Sequence, residues 1–327
     1  MIVITGAAGM IGSGVVRHLN DLGIHDLLLV DDLGNGEKWK NLIQKQFSNL
    51  ISRHKLFEYL QGREKEISAI IHLGACSDTT ETNADYLYEN NTRFSIRLAQ
   101  FALESNIRFI YASSAATYGD GSLGFSDDEA GLKELKPLNM YGFSKHLVDL
   151  WMQKENVLSH VVGLKYFNVF GPNEYHKKHM SSFILKTAEP ADKTGIISLF
   201  QSNDPLRFAH GEQCRDFIYV KDAVRMTCAF LLPEYRHIAG IYNIGMGTPT
   251  TWNQMAQYLF EALQKPPSIS YLEMPQHLSA QYQNFTCADM KKFRTIFSTE
   301  ANRFQMTPLK EAVHEYVSSY LLRKERW

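Results

Sequence analysis

Thr5-Gly6-Ala7-Ala8-Gly9-Met10-Ile11-Gly12 joins a short apolar run, Ile2-Val3-Ile4, to a segment of helical period over 11–22. Gly6, Gly9 and Gly12 fall three residues apart, so side chains are missing where a backbone must approach a phosphate at a helix N-terminus. A second apolar run, 27–31, ends on Asp31, 19 residues beyond Gly12. A carboxylate there can accept from an adenosine ribose hydroxyl. An ordinary tight strand-to-helix turn accounts for the glycines but not for the acid, and the combination reads as a dinucleotide cradle.

Outward from that turn, apolar runs alternate with helix-period segments: 2–5 then 11–22, 27–31, 69–74 then 86–104, 109–113 then 140–154, and 161–167. Short, continuously apolar strands are the mark of a parallel sheet covered on both faces. The pattern predicts an α/β protein with a Rossmann-like doubly wound parallel sheet. A cofactor domain is expected over 1–170 and a smaller C-terminal α/β substrate lobe over 171–327, with strands near 216–245 returning to the main sheet. Beyond Pro172 the rhythm loosens into a polar loop at 201–215, a proline-containing stretch at 266–275, and helices near 251–264 and 309–323.

The chain has 327 residues, 44% of them hydrophobic, with 34 basic against 35 acidic side chains and a formal net charge of −1. No global basic field exists to attract nucleic acid or an anionic membrane, so any anion site must be local. Cys76, Cys214, Cys228 and Cys287 form no C-x-x-C pair, which predicts reduced thiols rather than a metal site or a disulfide framework. The start of the chain lacks the features of a signal peptide, and no apolar run approaches the ~20 residues that span a bilayer. The expectation is a cytoplasmic protein.

Two further segments carry chemistry. Ser114 stands at the end of the 109–113 strand, and Tyr141-Gly142-Phe143-Ser144-Lys145 places a phenol and an ammonium four residues apart, on one helix face. An unperturbed phenol, with a pKa near 10, is only about 0.1% ionised at pH 7. A nearby ammonium and an oxidised nicotinamide are expected to lower it, making Tyr141 a general base toward a substrate hydroxyl while Ser114 hydrogen-bonds the same oxygen. Such spacing is common by chance and gains meaning from the glycine turn upstream. For the cofactor, Asp31-Asp32 alone favours NAD. Lys38 and Arg53 reverse this toward NADP if both reach a 2′-phosphate, because a like-charge contact costs about 1–4 kcal/mol and each charge-assisted hydrogen bond returns about 1.5–3 kcal/mol. Solvated surface positions are the competing reading for both cations.

The glycine turn, Ser114 and the Tyr141/Lys145 pair resemble the extended short-chain dehydrogenases that act on nucleotide sugars. Ala75-Cys76-Ser77, Tyr111-Ala112-Ser113-Ser114-Ala115-Ala116-Thr117-Tyr118-Gly119 and Tyr166-Phe167-Asn168-Val169-Phe170-Gly171-Pro172-Asn173-Glu174-Tyr175-His176-Lys177 narrow this. They resemble the ADP-L-glycero-D-manno-heptose 6-epimerase family, over positions 1 to about 320. The resemblance implies NADP held by Gly6, Gly9, Met10, Ile11, Gly12, Asp31, Asp32, Lys38, Arg53, Leu73, Gly74, Ala75, Cys76, Ser77, Asn90, Tyr141, Lys145, Val169 and Lys177. It places an ADP-heptose substrate against Ser114, Asn168, His179, Lys186, Phe200, Arg215 and Tyr282, and makes Lys177 a second acid/base beside Tyr141, Lys145 and Ser114. Asn90 is expected to orient Lys145 or a water. A solvated basic loop is the bland reading of His176-Lys177-Lys178-His179, and a structural ion pair that of Arg215. Asp32, Leu73 and Lys186 depart from the family pattern, as does the length of the 201–215 loop. The resemblance further implies a homo-oligomer, a pentamer, and supply of heptose for the lipopolysaccharide inner core. The alternatives are a UDP-hexose 4-epimerase and a dinucleotide-binding sensor without turnover; intact Ser114, Tyr141 and Lys145 speak against the sensor.

Overall fold

The computed structural model describes residues 1–279, 282–300 and 303–327. Seven parallel strands form the central sheet: β1 (Ile2–Thr5), β2 (Leu27–Val30), β3 (Asn49–Ile51), β4 (Ala69–His72), β5 (Arg108–Ser114), β6 (Val161–Tyr166) and, after shorter strands, one at Gly240–Ile244. The shorter strands are β7 (Asn168–Phe170), β8 (Ile197–Phe200), β9 (Cys214–Arg215) and β10 (Phe217–Tyr219), so the strand at Gly240–Ile244 is β11. Across the sheet the order is β11-β6-β5-β4-β1-β2-β3. The order reverses between β1 and β4, the switch point at which doubly wound sheets open a crevice beyond their carboxyl ends.

Alternation along the strands fills both faces. Ile4, Leu27, Leu29, Ile71, Ile110 and Leu164 enter one apolar cluster, whereas Val3, Leu28, Val30, Ile70, Phe109 and Tyr111 enter the other. The first face is covered by α1 (Met10–Asp21). The second lies under α4 (Phe94–Glu104) and α5 (Met140–Lys154), which follow the short helices α2 (Leu56–Leu60) and α3 (Ala84–Leu87). Such a two-sided core explains why these strands read as continuous apolar runs.

The later part of the chain adds α6 (Phe183–Thr194), α7 (Val220–Ala229) and α8 (Trp252–Ala262), and then α9 (Gln276–Ser279), α10 (Lys291–Ile296) and α11 (Leu309–Glu315). β8 pairs in parallel with β13 (Ile269–Leu272), β9 pairs antiparallel with β12 (Thr250–Thr251), and β10 pairs with β7. β11 joins the main sheet beside β6, and α7 packs on α1. The segment expected as one helix over 86–104 is instead α3 and α4 joined by a π-helical turn at Tyr88–Arg93. β3, α6 and the β8/β13 pair were not expected from the sequence. No helix among the described residues is long and apolar enough to cross a membrane.

Candidate active site

A cleft of about 1020 Å³ runs along the carboxyl ends of the sheet strands. Its floor begins at the glycine turn. Gly6 has φ +66°, and a Cβ there would lie 2.7 Å from Gly74 N; a Cβ on Gly12 would lie 2.1 Å from Gly6 O. Only glycine permits this packing of the turn against Gly74 and of the helix start against the turn. Gly9 caps α1 without a side-chain acceptor, so the first amides of the helix remain available to an anion. Asp31 accepts the Ala8 N–H at 2.8 Å and pairs with Lys38. Asp32 pairs with Arg53 Nε at 2.8 Å and accepts from Ser52 Oγ at 2.6 Å. A cradle closed to any Cβ, an uncapped helix N-terminus and two acid–cation pairs at the far end fit a nicotinamide dinucleotide.

Leu73, Gly74, Ala75, Cys76 and Ser77 form the next part of the wall. They are held by a residue that sequence reasoning missed, the buried Asn91 in the π-helical turn. Its Oδ1 accepts the Cys76 N–H at 2.8 Å, and its Nδ2 donates to Cys76 O at 2.9 Å and to Ser144 Oγ at 3.0 Å. Asn90 does not orient Lys145 as expected. Its Oδ1 accepts from Arg53 and its Nδ2 donates to Asn91 Oδ1 at 2.9 Å, so it stiffens the cation instead.

Ser114, Tyr141 and Lys145 line the middle of the cleft. Asn139 caps α5 by accepting the Gly142 N–H at 2.8 Å, which fixes the helix start beside Tyr141. The Lys145 ammonium donates to Ala112 O at 2.8 Å, and burial pushes its pKa down to about 8. The expected lowering of the Tyr141 phenol by Lys145 is not what the protein alone produces. Burial raises that phenol above its ordinary range, and the hydrogen bond with Ser114 opposes the rise. The physical reason is that desolvation outweighs one neutral hydrogen bond.

The third wall is the turn Tyr175–Met180. Glu174, fully buried, accepts from Ser182 N at 2.6 Å, Ser182 Oγ at 2.5 Å and Tyr316 OH at 2.9 Å. Asn173, also buried, donates to Ser13 Oγ at 3.0 Å, while Asn41 donates to both Ala8 O and Asn173 O. These anchors bring the turn over the glycine loop, and the Lys177 ammonium lies 3.9 Å from Met10 Sδ. Burial lowers the Lys177 pKa, opposed by Glu174. Lys177 is therefore packed into the cleft and is not part of a solvated basic loop.

Val169, Asn168, His179, Lys186, Phe200 and Tyr282 also line the cleft. His179 Nε2 contacts Asp78 Oδ2 at 2.9 Å. Arg215 does not line it. The guanidinium is buried against two side chains that do, 4.7 Å from the Tyr282 ring centroid and 5.7 Å from that of Trp252, and donates to Cys214 O at 2.9 Å. Trp252 donates to Tyr282 OH at 2.8 Å and is a second wall residue that sequence reasoning missed.

Residues 2–245 match the NAD dependent epimerase/dehydratase family. The chain is 45% identical over 323 residues to the ADP-L-glycero-D-manno-heptose-6-epimerase of Nitratidesulfovibrio vulgaris, covering 98% of each chain. It is 42% identical over 338 residues to the protein of the same name from Fusobacterium nucleatum, covering 100% of each. The Helicobacter pylori ADP-L-glycero-D-manno-heptose-6-epimerase structure matches with a TM-score of 0.77 at 26% identity, over 97% of this chain and 95% of that one. A Thermotoga maritima UDP-glucose 4-epimerase shares the fold, with a TM-score of 0.75 at 22% identity over 99% of each chain. From the cradle, the Tyr141/Lys145 helix and full-length relatives of one name, the chain belongs to the ADP-L-glycero-D-manno-heptose-6-epimerase family, within the NAD dependent epimerase/dehydratase family.

Proposed function

We propose that this protein interconverts ADP-D-glycero-β-D-manno-heptose and ADP-L-glycero-β-D-manno-heptose. The observation that carries the reading is the convergence of Ser114, Tyr141, Lys145 and Lys177 on one cleft that begins at a dinucleotide cradle. C6″ of the heptose is not adjacent to a carbonyl, so simple deprotonation cannot invert it. A bound nicotinamide dinucleotide supplies the oxidation and re-reduction that this carbon needs. Tyr141 takes or returns the proton of the 6″-oxygen for one epimer, with Ser114 hydrogen-bonded to that oxygen. Lys177, approaching from the Tyr175–Met180 turn, does so for the other. The Lys145 ammonium holds positive charge near the phenol and the ribose. Asn168, His179, Lys186, Phe200 and Tyr282 contact the ADP-sugar, with Arg215 packed against the Tyr282 ring.

NADP is the proposed cofactor, since Lys38 and Arg53 already neutralise Asp31 and Asp32. The remaining proposals are a cytoplasmic homo-oligomer, a pentamer, and supply of heptose to the lipopolysaccharide inner core. The test is proton NMR of purified protein with ADP-D-glycero-β-D-manno-heptose and no added cofactor. Conversion to the L-glycero epimer is expected, with deuterium at C6″ retained in ordinary water. Tyr141→Phe and Lys177→Met should each reduce kcat by about 10²–10⁴-fold. Near-normal turnover by both variants, or washout of the deuterium, would overturn the mechanism.

A further inference from the structure

Beneath the cleft lies an ion pair that none of the proposed chemistry uses. Lys165 Nζ and Asp149 Oδ2 are 2.9 Å apart, and both side chains have 0% exposure. Asp149 is on α5, one turn beyond Lys145 and two beyond Tyr141; Lys165 is on β6. The carboxylate also accepts from Tyr111 OH at 3.0 Å and Ser113 Oγ at 2.8 Å, both on β5. Between these two residues, Ala112 O accepts from Lys145 at 2.8 Å. Three successive residues of β5 are thus fastened to the catalytic helix. On the other side, Lys165 donates to Thr117 Oγ1 at 2.5 Å, and Thr117 Oγ1 donates to Ser114 O at 2.8 Å.

A buried ion pair is weak as a source of stability, because desolvation of two charges offsets their attraction. Its place in the fold is more informative. One arm runs to the helix that carries Tyr141 and Lys145, and the other runs to the turn that carries Ser114.

We propose that Asp149 and Lys165 are positioning residues of the catalytic centre, holding the Tyr141/Lys145 helix in register with Ser114 and keeping the Lys145 ammonium charged. This rests on the reaction proposed above. The ionisable groups facing Lys145 are Asp149 from α5, Cys76 from the loop after β4, and His72 from β4, with Tyr141 one turn earlier on the same helix. His146 and Lys165 face Asp149. Burial holds His72 neutral, with its pKa pushed down to about 3, and pushes the Cys76 thiol up. Burial works against the charge on Lys145, and the Asp149 carboxylate one turn along the helix supports it. Lys145 is charged at low pH and loses its charge as pH rises through its pKa. Removing the Asp149 charge lowers that pKa, so activity that needs the ammonium fails at a lower pH.

The decisive variant is Asp149→Asn/Lys165→Met, which keeps an amide oxygen for one of the Tyr111 and Ser113 hydroxyls, offers its NH2 to the other hydroxyl oxygen, and leaves no buried charge unpaired. Two measurements are made on the full chain. One is the alkaline limb of the pH profile of kcat for ADP-heptose epimerisation. The other is the titration of the Lys145 Cε resonance in ¹³C-lysine-labelled protein without nucleotide sugar, assigned by its absence in Lys145→Arg. Both should move down by about one pH unit, so that kcat on the alkaline limb falls about tenfold while KM is unchanged. A lowered Tm with both titrations unmoved would mean that the pair serves packing alone, and would overturn the proposal. Asp149→Glu gives an independent arm, because it keeps the charge and displaces the anchor. Its Lys145 titration should match the wild type while kcat falls several-fold at every pH; a wild-type kcat would overturn the positioning role. If the wild-type protein does not turn over ADP-heptose, the proposed reaction fails, yet the Lys145 titration still decides whether Asp149 supports its charge.

Discussion

Arg53 spreads its guanidinium between two acceptors, with Nε 2.8 Å from Asp32 Oδ2 and Nη1 on Asn90 Oδ1. Lys38 does the same service for Asp31. Two bare carboxylates would repel a 2′-phosphate, but here each enters the site already paired with a cation. The balance left open by sequence therefore turns on side chains that are prearranged, since an Arg fixed by an amide loses less freedom on binding than one moving in solvent. Arg53→Ala removes one charge-assisted partner and leaves Asp32 unpaired. The expected outcome is a Kd for NADP⁺ raised by about 10- to 100-fold, from the loss of about 1.5–3 kcal/mol, with the Kd for NAD⁺ changed far less. Calorimetric titration with both dinucleotides distinguishes this from equal weakening, which would assign Arg53 to loop structure rather than to the phosphate.

At the scale of elements, the π-helical turn at Tyr88–Arg93 carries information that the amino-acid pattern hides. The apolar period on either side continues through it, so the sequence reads as one helix over 86–104. The additional residue in the turn points Asn91 and Thr92 inward, where Asn91 brackets both backbone groups of Cys76 and Thr92 Oγ1 donates to Ser144 O at 2.8 Å. π-Helical turns inside helices are often found at functional sites, and this one ties the loop after β4 to α5, the helix that carries Tyr141 and Lys145. Asn91→Ala strands the half-buried Cys76 backbone groups and the buried Ser144 hydroxyl, and the stability to denaturant should fall by about 1–3 kcal/mol, with dinucleotide released more readily during gel filtration. A change below about 0.5 kcal/mol, the size of an ordinary surface substitution, would show that water replaces the amide. The same contrast marks what the chain makes legible. β1, β2, β4, β5 and β6 are buried on both faces and announce themselves as largely apolar runs, and the glycine spacing with Asp31 marks β1 and β2 as the strands of the dinucleotide cradle. β8 alternates buried and exposed residues over Ile197–Phe200 and finds β13 some seventy positions away, a pairing that no local pattern encodes. Asp149 and Lys165 were equally invisible, because each looks like an ordinary charge until β6 places one against the other.

At the scale of the molecule, the segment that closes the chain is fastened to the part that opens it. Trp327 packs on α1, where a Cβ at Gly14 would lie 2.6 Å from the indole ring and 2.8 Å from Val224. Its backbone exchanges two hydrogen bonds with Asn173, at 2.9 Å and 2.8 Å, and its carbonyl accepts from Lys45 at 2.8 Å. Arg326 reaches Glu37 at 2.9 Å and lies over the Tyr175 ring. Asn173 stands one residue before Glu174 and four before Lys177, so the clasp on α1 also sets the third wall of the cleft. Gly14→Ala tests this coupling at a distance from the reacting atoms. Alanine favours the helix by about 1 kcal/mol, while overpacking the ring costs about 1–3 kcal/mol; the ring is the movable partner and should yield. Once displaced, it surrenders the two Asn173 bonds and loosens the Tyr175–Met180 turn. Hydrogen exchange should then accelerate at the amides of Lys177 and Ser181, which donate to Glu174 O at 2.9 Å and Lys178 O at 3.1 Å, while the amides of β4 and β5 keep wild-type protection. Tryptophan emission should shift to longer wavelength as the indole meets water. If the emission shifts and exchange in the turn does not, the clasp holds only itself, and Glu174 with its bonds to Ser182 and Tyr316 is sufficient to place Lys177.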